Sequence, residues 1–267
     1  MSKNIKLNMS RRIRRTPYTN RVEQHGVSDF TVVNHMLLPK GFKNTVEEDY
    51  LHLSKDVQMW DVSCQRQVQI CGPDSAELIQ KLTPRSIKDM GIGKCFYIPM
   101  LNENAGMIND PVLLKLDDDM FWISIADSDI LLWAKGLALG LNLNVKIEEP
   151  DVYPLAIQGP KSYDLINEIS DFNTNSLKNY SFINTNFLDC DDVILSTTGY
   201  TGSGGFEIYC KNSDAPKIWT NLFDLGERFS IKPAGLASRD TLRKQATWLR
   251  KNKDLKNEKI KKKGNIK

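Results

Sequence analysis

Residues 198–209 read Thr-Gly-Tyr-Thr-Gly-Ser-Gly-Gly-Phe-Glu-Ile-Tyr, a glycine-rich turn followed directly by an alternating run. Four glycines within seven residues permit backbone conformations that other residues avoid, and they let a flat ligand approach closely. In the run that follows, Phe206 and Ile208 share one face of a strand, whereas Glu207 and Tyr209 share the other. If the apolar face packs into the core, the Glu207 carboxylate is free to accept two parallel N–H bonds from a heterocycle. A tight β-hairpin with a solvated glutamate is the simpler interpretation of the same residues.

Short strands and helices are predicted on both sides of this turn. A strand over 193–198 precedes it, and an amphipathic helix over 215–229 follows the strand at 206–210. Upstream, the pattern predicts a helix that ends near residue 82, with Asp74 as its N-cap and Glu77 completing a capping box. A second helix is predicted over 128–141, capped by Asp127 or Ser128. Further strands are predicted over 30–33, 57–62, 66–70, 96–101, 107–116 and 120–125. Residues 1–24 are predicted to be irregular, and a short final helix is predicted to open at 238–243.

A weak internal repeat relates two parts of the chain. Residues 68–79 and 155–166 share six identities at one constant offset, and both read as a strand, a Gly-Pro break and a helix. Two copies of one unit indicate pseudo-symmetric halves around a shared centre, although two chance corners would look alike. We therefore predict an N-terminal arm over 1–24, subdomains over 25–150 and 151–243, and a separate tail over 244–267.

Composition and charge describe an ordinary globular chain. The 267 residues are 40% apolar and 26% charged, and no apolar run reaches the ~18 residues of a membrane helix. Five scattered cysteines without a CxxC pair favour a reducing compartment, so we predict a cytoplasmic location. The basic N-terminus lacks the apolar segment of a secretory signal; it suits a basic arm, and an organelle presequence stays open.

The net charge of +3 is unevenly distributed along the chain. The tail over 244–267 carries +8, which leaves −5 on residues 1–243, so the body gives no indication of a nucleic-acid surface. A basic run of this kind is typical of a solvated, disordered tail. We expect neither a nucleic-acid partner nor a membrane partner.

The common catalytic and metal motifs are absent from the sequence. The chain has no phosphate-binding loop, no dinucleotide fingerprint and no nucleophile elbow, and its three histidines show no metal-ligand spacing. What remains is isolated polar residues within apolar strands: Asp110 lies between Ile108 and Val112, and Glu207 follows the glycines. Buried carboxylates cost several kcal/mol unless they are paired. They therefore indicate either a polar ligand or a structural ion-pair network.

Several further segments occur in a fixed order along the chain. They are Trp60-Asp61-Val62-Ser63, Asn109-Asp110 after a glycine turn, Gln158-Gly159-Pro160-Lys161-Ser162, the glycine-rich turn with Glu207, Pro233-Ala234-Gly235-Leu236 and Ser238-Arg239-Asp240-Thr241-Leu242-Arg243. Together they resemble the folate-dependent one-carbon transferases of the glycine-cleavage T-protein family over about residues 14–243. The first half, with Arg11–Tyr18, Ile108–Pro111 and 124–129, is more similar to members that demethylate dimethylsulfoniopropionate. The second half is more similar to aminomethyl-transferring members.

The resemblance implies an α+β folate-binding fold of two pseudo-related α/β subdomains with antiparallel and mixed sheets. It implies tetrahydrofolate as co-substrate, without a metal. It also implies a pocket in which Glu207 holds the amino and ring N–H edge of the pterin and Arg239 helps to orient it. Tyr97 and Tyr200 would line the ring or the mouth, Ser124 would lie on the wall, and the catalytic Asp110 would lie beside N5 and the one-carbon unit.

The chain departs from the family after Arg243. The family continues with a glycine-rich helix and a C-terminal barrel domain, whereas this chain gives Lys244-Gln245-Ala246-Thr247-Trp248 and a Lys/Asn-rich tail. We therefore expect the barrel to be missing. The resemblance favours methyl transfer from a small sulfonium donor, with aminomethyl transfer and a lipoyl-carrier partner as the alternative. A non-catalytic folate-binding remnant and a homodimer stay open.

Overall fold

The computed structural model describes residues 10–126, 129–236 and 238, apart from the side chain of Asn175. The helices of this part are α1 (Thr19–Gln24), α2 (Val46–Leu53), α3 (Ser75–Leu82), α4 (Ile130–Gly140), α5 (Ser162–Ile169) and α6 (Ala215–Gly226). Its strands are β1 (Asp29–Val33), β2 (Met36–Gly41), β3 (Gln58–Asp61), β4 (Gln67–Cys71), β5 (Cys95–Tyr97), β6 (Met100–Leu101), β7 (Met107–Asn109), β8 (Val112–Asp117), β9 (Met120–Ser124), β10 (Lys146–Glu148), β11 (Tyr153–Gln158), β12 (Phe182–Phe187), β13 (Cys190–Ser196), β14 (Gly205–Cys210) and β15 (Lys232–Pro233). The predicted α+β class with antiparallel and mixed sheets is confirmed.

Two larger sheets repeat one strand order. The first sheet runs β10-β4-β9-β8-β5, and the second runs β3-β11-β14-β13-β12, with β15 parallel to β3 at its edge. The two sheets exchange one strand: β3 precedes β4 in the chain but pairs with β11, and β10 precedes β11 but pairs with β4. Each half of the chain therefore completes the sheet of the other, as in a pseudo-symmetric duplication.

The repeat predicted from the sequence is confirmed at the corners that follow β4 and β11. Gly72 and Gly159 both have left-handed backbones, with φ of 124° and 121°, and both accept a hydrogen bond from the serine that opens the next helix. At Gly72 a side chain would meet the backbone oxygen of Asn144 at 2.7 Å, and at Gly159 it would meet that of Asp56. Asn144 and Asp56 lie in the segments that lead into the exchanged strands β10 and β3, so the strand exchange accounts for the glycine at both corners.

Three apolar clusters hold the architecture together. The outer face of the second sheet packs on α5, α6 and α1, and the outer face of the first packs on α3 and α4. The inner faces of the two sheets meet in a cluster made of Cys95, Leu114, Trp122, Phe182, Ile194 and Tyr209. Hydrogen bonds from Cys95 N to Tyr180 O at 2.9 Å and from Phe182 N to Gly93 O at 2.8 Å join their edges. Full burial of each such side chain contributes roughly 1.5–3 kcal/mol.

The prediction of irregular structure over 1–24 is wrong for its last residues, because Thr19–Gln24 is helical. Tyr18 and Val22 are fully buried against the second sheet, and His25 stacks on Phe223 with ring centroids 4.1 Å apart. This tertiary packing stabilises a helix too short to form by itself.

Other local predictions need smaller corrections. Asp74 makes no capping hydrogen bond; its carboxylate accepts one from Asn144 N at 2.6 Å, on the segment that leads into β10. The strand predicted over 96–101 is divided into β5 and β6, and the one over 107–116 into β7 and β8. A proline lies in each break, Pro99 in the first and Pro111 in the second, and proline cannot donate to a strand ladder. Asp127, Ser128, the tail and, except for Ser238, the final helix lie outside the described residues.

Candidate functional site

The hairpin β13–β14 places Glu207 on the inner face of the second sheet. Phe206, Ile208 and Cys210 alternate with it and pack into the outer core beside α5 and α6. The predicted alternation is confirmed, and a fully solvated glutamate is excluded because Glu207 is only 6% exposed. The neighbouring strands present Ala156 and Ser196 directly opposite Glu207, so small side chains flank the carboxylate on both sides.

The glycines before β14 fit the loop against strand β11. Gly205 has φ of 129°, and a side chain there would collide with the backbone of Ile157 and Gln158. A side chain at Gly199 would overlap the amide of Gln158, which accepts a hydrogen bond from Thr201 Oγ1 at 2.9 Å. The sequence suggested that these glycines admit a flat ligand. At Gly199 and Gly205, however, that space is occupied by residues of strand β11 of the protein itself.

Two hydroxyl groups donate hydrogen bonds to the Glu207 carboxylate. Thr198 Oγ1 donates at 2.5 Å and the phenol of Tyr209 at 3.2 Å, and both bonds end on Oε2. Burial, together with the charge on Glu207, raises the pKa of Tyr209 well above its usual value, which keeps the phenol protonated and able to donate. The described residues bring no hydrogen bond to Oε1.

Asp110 and Tyr97 meet at a second point of the site. The phenol of Tyr97 donates to Asp110 Oδ2 at 3.3 Å, and the Tyr97 side chain is 39% exposed. Asp110 was predicted within a buried strand, but it lies half-buried in the break between β7 and β8. Its backbone neighbour Asn109 is buried and accepts a bond from Ala126 N at 3.2 Å. The carboxylate thus lies at a partly accessible position within hydrogen-bond distance of Tyr97.

Ser124 links these two points. Its strand register places it in one row with Val112 and Tyr97 across the first sheet, so the three side chains share the inner face. Ser124 accepts a hydrogen bond from Gln67 Nε2 at 3.0 Å and is itself hydrogen-bonded to Tyr209. The predicted residues Tyr97, Ser124 and Glu207 therefore belong to one connected arrangement between the sheets.

The remaining predicted residues are placed less fully. Tyr200 lies half-buried in the loop between β13 and β14, and Arg239 lies outside the described residues. The sequence interpretation did not use Thr198 or Tyr209 as partners of Glu207. A signal for Tyr209 was present, since residues two apart on a strand share a face.

The arrangement offers hydrogen-bond acceptors at two places. Glu207 Oε1 and the Asp110 carboxylate can accept N–H groups or stabilise positive charge, and Tyr97 adds an aromatic face. Within the described residues no group of three or more His, Cys, Asp or Glu side chains is suited to hold a metal ion. In that same part of the chain no helix is long and apolar enough to cross a membrane.

Comparison with known proteins places this geometry in context. A family model described as the GCVT N-terminal domain matches residues 18–262. The dimethylsulfoniopropionate demethylase DmdA of Ruegeria pomeroyi is 39% identical over 224 residues, which are 84% of this chain and 61% of that protein. An aminomethyltransferase of Bacillus cytotoxicus is 33% identical over 213 residues, 79% of this chain and 58% of that protein. The chain thus spans about three fifths of the length of these relatives.

Solved structures share the fold. The glycine cleavage system aminomethyltransferase T of Bartonella henselae matches with a TM-score of 0.75 at 23% identity, over 86% of this chain and 62% of that one. A chain of the heterotetrameric sarcosine oxidase of Corynebacterium sp. U-96 matches with a TM-score of 0.55 at 16% identity, over 81% of this chain and 96% of that one.

Proposed function

The chain belongs to the GCVT N-terminal domain family, and from that membership we propose that it binds tetrahydrofolate and transfers a one-carbon group to its N5 amine. The observation that carries the proposal is the Glu207 carboxylate. It is buried between two sheets, flanked by Ala156 and Ser196, and joined through Tyr209 and Ser124 to the row that contains Tyr97. A buried carboxylate with an oxygen left for a ligand suits a heterocycle edge that carries N–H donors.

The roles that we propose for the individual residues are those that the family resemblance implies. Glu207 would hold the amino and ring N–H edge of the pterin, with Ser124 on the pocket wall and Tyr97 and Tyr200 lining the ring or the mouth. Arg239 would help to orient the pterin. Asp110 would lie beside N5, where its negative charge stabilises the positive charge of the donor and of the newly substituted amine. Catalysis would consist mainly of holding the two substrates in line.

For the one-carbon donor we propose a small sulfonium compound of the dimethylsulfoniopropionate type. The demethylase relative is 39% identical, against 33% for the aminomethyltransferase of Bacillus cytotoxicus. In the transfer, the bond from sulfur to methyl breaks as the bond from N5 to methyl forms, and the electron pair stays on sulfur. The sulfide leaves neutral and the methylated N5 then releases its proton to solvent, so the reaction needs no strong general base, which agrees with a half-buried carboxylate at Asp110.

Aminomethyl transfer is the second candidate, favoured by the shared fold and by the likeness of the glycine-rich turn. It requires a lipoyl-carrier protein as donor, so separate assays distinguish the two. Incubation with tetrahydrofolate and dimethylsulfoniopropionate yields 5-methyltetrahydrofolate under the first proposal. Product from an aminomethylated carrier and none from the sulfonium compound would establish the second.

Binding of tetrahydrofolate is tested before turnover. We expect tetrahydrofolate to raise the melting temperature of the protein and Glu207→Ala to abolish the rise. If the intact protein shows no rise and no binding by calorimetry, the folate proposal is wrong. Binding without turnover of either donor would identify a non-catalytic folate-binding module. The homodimer and the cytoplasmic location stay predictions.

A further inference from the structure

The Glu207 carboxylate is held by two donors that the proposed one-carbon chemistry does not itself use. Thr198 is 3% exposed and Tyr209 is 1% exposed, and their hydroxyl groups reach the same oxygen at 2.5 Å and 3.2 Å. A carboxylate oxygen offers about two lone-pair sites. Both sites of Oε2 are therefore filled from within the protein.

The first donor belongs to a chain of hydrogen bonds with a fixed direction. Thr198 Oγ1 gives its single proton to Glu207, so at its contact with Ser196 Oγ at 2.9 Å it must accept. Because Ser196 donates its single proton to Thr198, Ser196 Oγ must accept the hydrogen bond from Cys95 Sγ, which lies 3.4 Å away. Burial raises the pKa of Cys95 to about 12, so the thiol keeps the proton that this direction requires. This series of hydrogen bonds runs from Cys95 on the first sheet to Glu207 on the second.

Tyr209, the second donor, ends a similar series of hydrogen bonds that begins at Gln67. Gln67 Nε2 donates to Ser124 Oγ at 3.0 Å, and Ser124 in turn donates to the phenol oxygen of Tyr209, because the single Tyr209 proton goes to Glu207. Tyr209 then donates to Glu207 at 3.2 Å. In both series of hydrogen bonds the hydroxyl protons point toward Glu207 Oε2.

We propose that Thr198 and Tyr209 are positioning residues that fix the Glu207 carboxylate so that only Oε1 faces the ligand. This inference rests on the proposed tetrahydrofolate site. It changes the expectation drawn from the sequence, in which both carboxylate oxygens accept parallel N–H bonds. With Oε2 filled, the amino group and the ring N–H of the pterin converge on Oε1, and a heterocycle edge that presents an acceptor there is rejected.

The test is calorimetric titration of tetrahydrofolate into the full chain and into single variants. Thr198→Val removes the shorter bond, and since a hydrogen bond to a charged group contributes about ten- to hundredfold, we expect affinity to fall by about that factor. Tyr209→Phe removes the longer bond, and we expect it to lower the affinity for tetrahydrofolate about three- to tenfold. Thr198→Ser restores the hydroxyl and should bind within about threefold of the unaltered protein.

A matched control comes from another buried threonine. Thr16 Oγ1 donates at 2.5 Å to Asp61 Oδ2, so Thr16→Val loses a bond of the same kind and length to a different carboxylate. Its affinity for tetrahydrofolate should be unchanged. The affinity for a pterin analogue without the 2-amino group distinguishes a positioning role of Thr198 from a purely structural one. The analogue should bind weakly to the unaltered protein, and Thr198→Val should weaken its binding little further.

The outcomes separate the two proposals. Absence of binding by the unaltered chain refutes the tetrahydrofolate site itself. Binding by the unaltered chain with equal affinity in Thr198→Val and Tyr209→Phe refutes the positioning role and leaves the site standing. If Thr198→Val does not fold, Tyr209→Phe and the Thr198→Ser comparison decide in its place, since a loss with Thr198→Ser despite a retained hydroxyl contradicts the proposal.

Discussion

Replacing Asp61 with asparagine should remove a pH dependence from the stability of this protein. Asp61 lies at the end of β3, is 2% exposed, and accepts hydrogen bonds from Thr16 Oγ1 at 2.5 Å and Ser63 N at 3.0 Å. Burial raises its pKa from 3.8 to about 6, and the bonds from Thr16 and Ser63 only partly oppose that rise. Asparagine keeps an oxygen for Ser63. Its amide can donate to the Thr16 hydroxyl, which can turn toward Thr19 at 3.0 Å.

The sign and the size of this pH dependence follow from the raised pKa of Asp61. Between about pH 4 and pH 6 the folded protein keeps the Asp61 proton while the unfolded chain has lost it, so stability falls as pH rises through this window. The rise of about two units corresponds to about 3 kcal/mol, fully expressed above the folded pKa of about 6. Asparagine does not titrate. The stability of Asp61→Asn relative to the unaltered protein should therefore improve by about 3 kcal/mol between pH 4 and pH 7.5.

Urea unfolding at several pH values measures this difference. Asp56→Asn is a control of opposite sign, because the hydrogen bond from Lys161 lowers the pKa of Asp56. The stability that Asp56 contributes is present above its unfolded pKa and is lost as pH falls, so its replacement costs more at neutral pH than in acid. If the free energy difference between Asp61→Asn and the unaltered protein is the same at pH 4 and pH 7.5, then Asp61 is not the titrating group and the reasoning fails.

Three further outcomes can be checked directly. Gly205→Ala places a side chain at φ of 129° against the backbone of β11, so we expect a loss of at least about 1–3 kcal/mol of unfolding free energy in denaturant titrations. Iodoacetamide at pH 8 should label the partly exposed Cys71 much faster than Cys95, whose pKa is raised by burial to about 12; equal rates by mass spectrometry would contradict this. Tyr97→Phe removes the phenol that donates to Asp110 at 3.3 Å, and turnover of the proposed methyl transfer should fall about three- to tenfold at unchanged melting temperature.

The sequence was most informative where a local pattern determines a local structure. Alternation placed Phe206 in the core and Glu207 opposite it, and the repeated Gly-Pro corners predicted two equivalent units. The pairing of the strands could not be predicted from the sequence. A strand pattern determines which residues face inward but not which strand lies beside it, so nothing in β3 indicated that it would leave β4 and join β11.

The candidate site shows the same division. Asp110 and Tyr97 are far enough apart in sequence that only the resemblance grouped them, and the structure brings them to 3.3 Å. The two donors to Glu207 lie within residues 198–209, yet their hydrogen bonds depend on side-chain directions that are set on the inner face of the folded sheet. Such directions depend on tertiary packing.

The duplicated framework also explains why a buried carboxylate occupies this strand position in the second sheet and not in the first. Trp122 on β9 occupies the position that corresponds to Glu207 on β14, since it pairs with Gln69 as Glu207 pairs with Ala156, and these two partners are equivalent in the repeat. In the first sheet the indole fills the space and its Nε1 donates to Gln69 at 2.9 Å. In the second sheet Ala156 and Ser196 flank the same position and leave room beside a carboxylate. The ring of Trp122 then packs against Tyr209 at 6.4 Å between centroids, on the residue that donates to Glu207. Trp122 of the first sheet thus forms one wall behind Glu207 of the second.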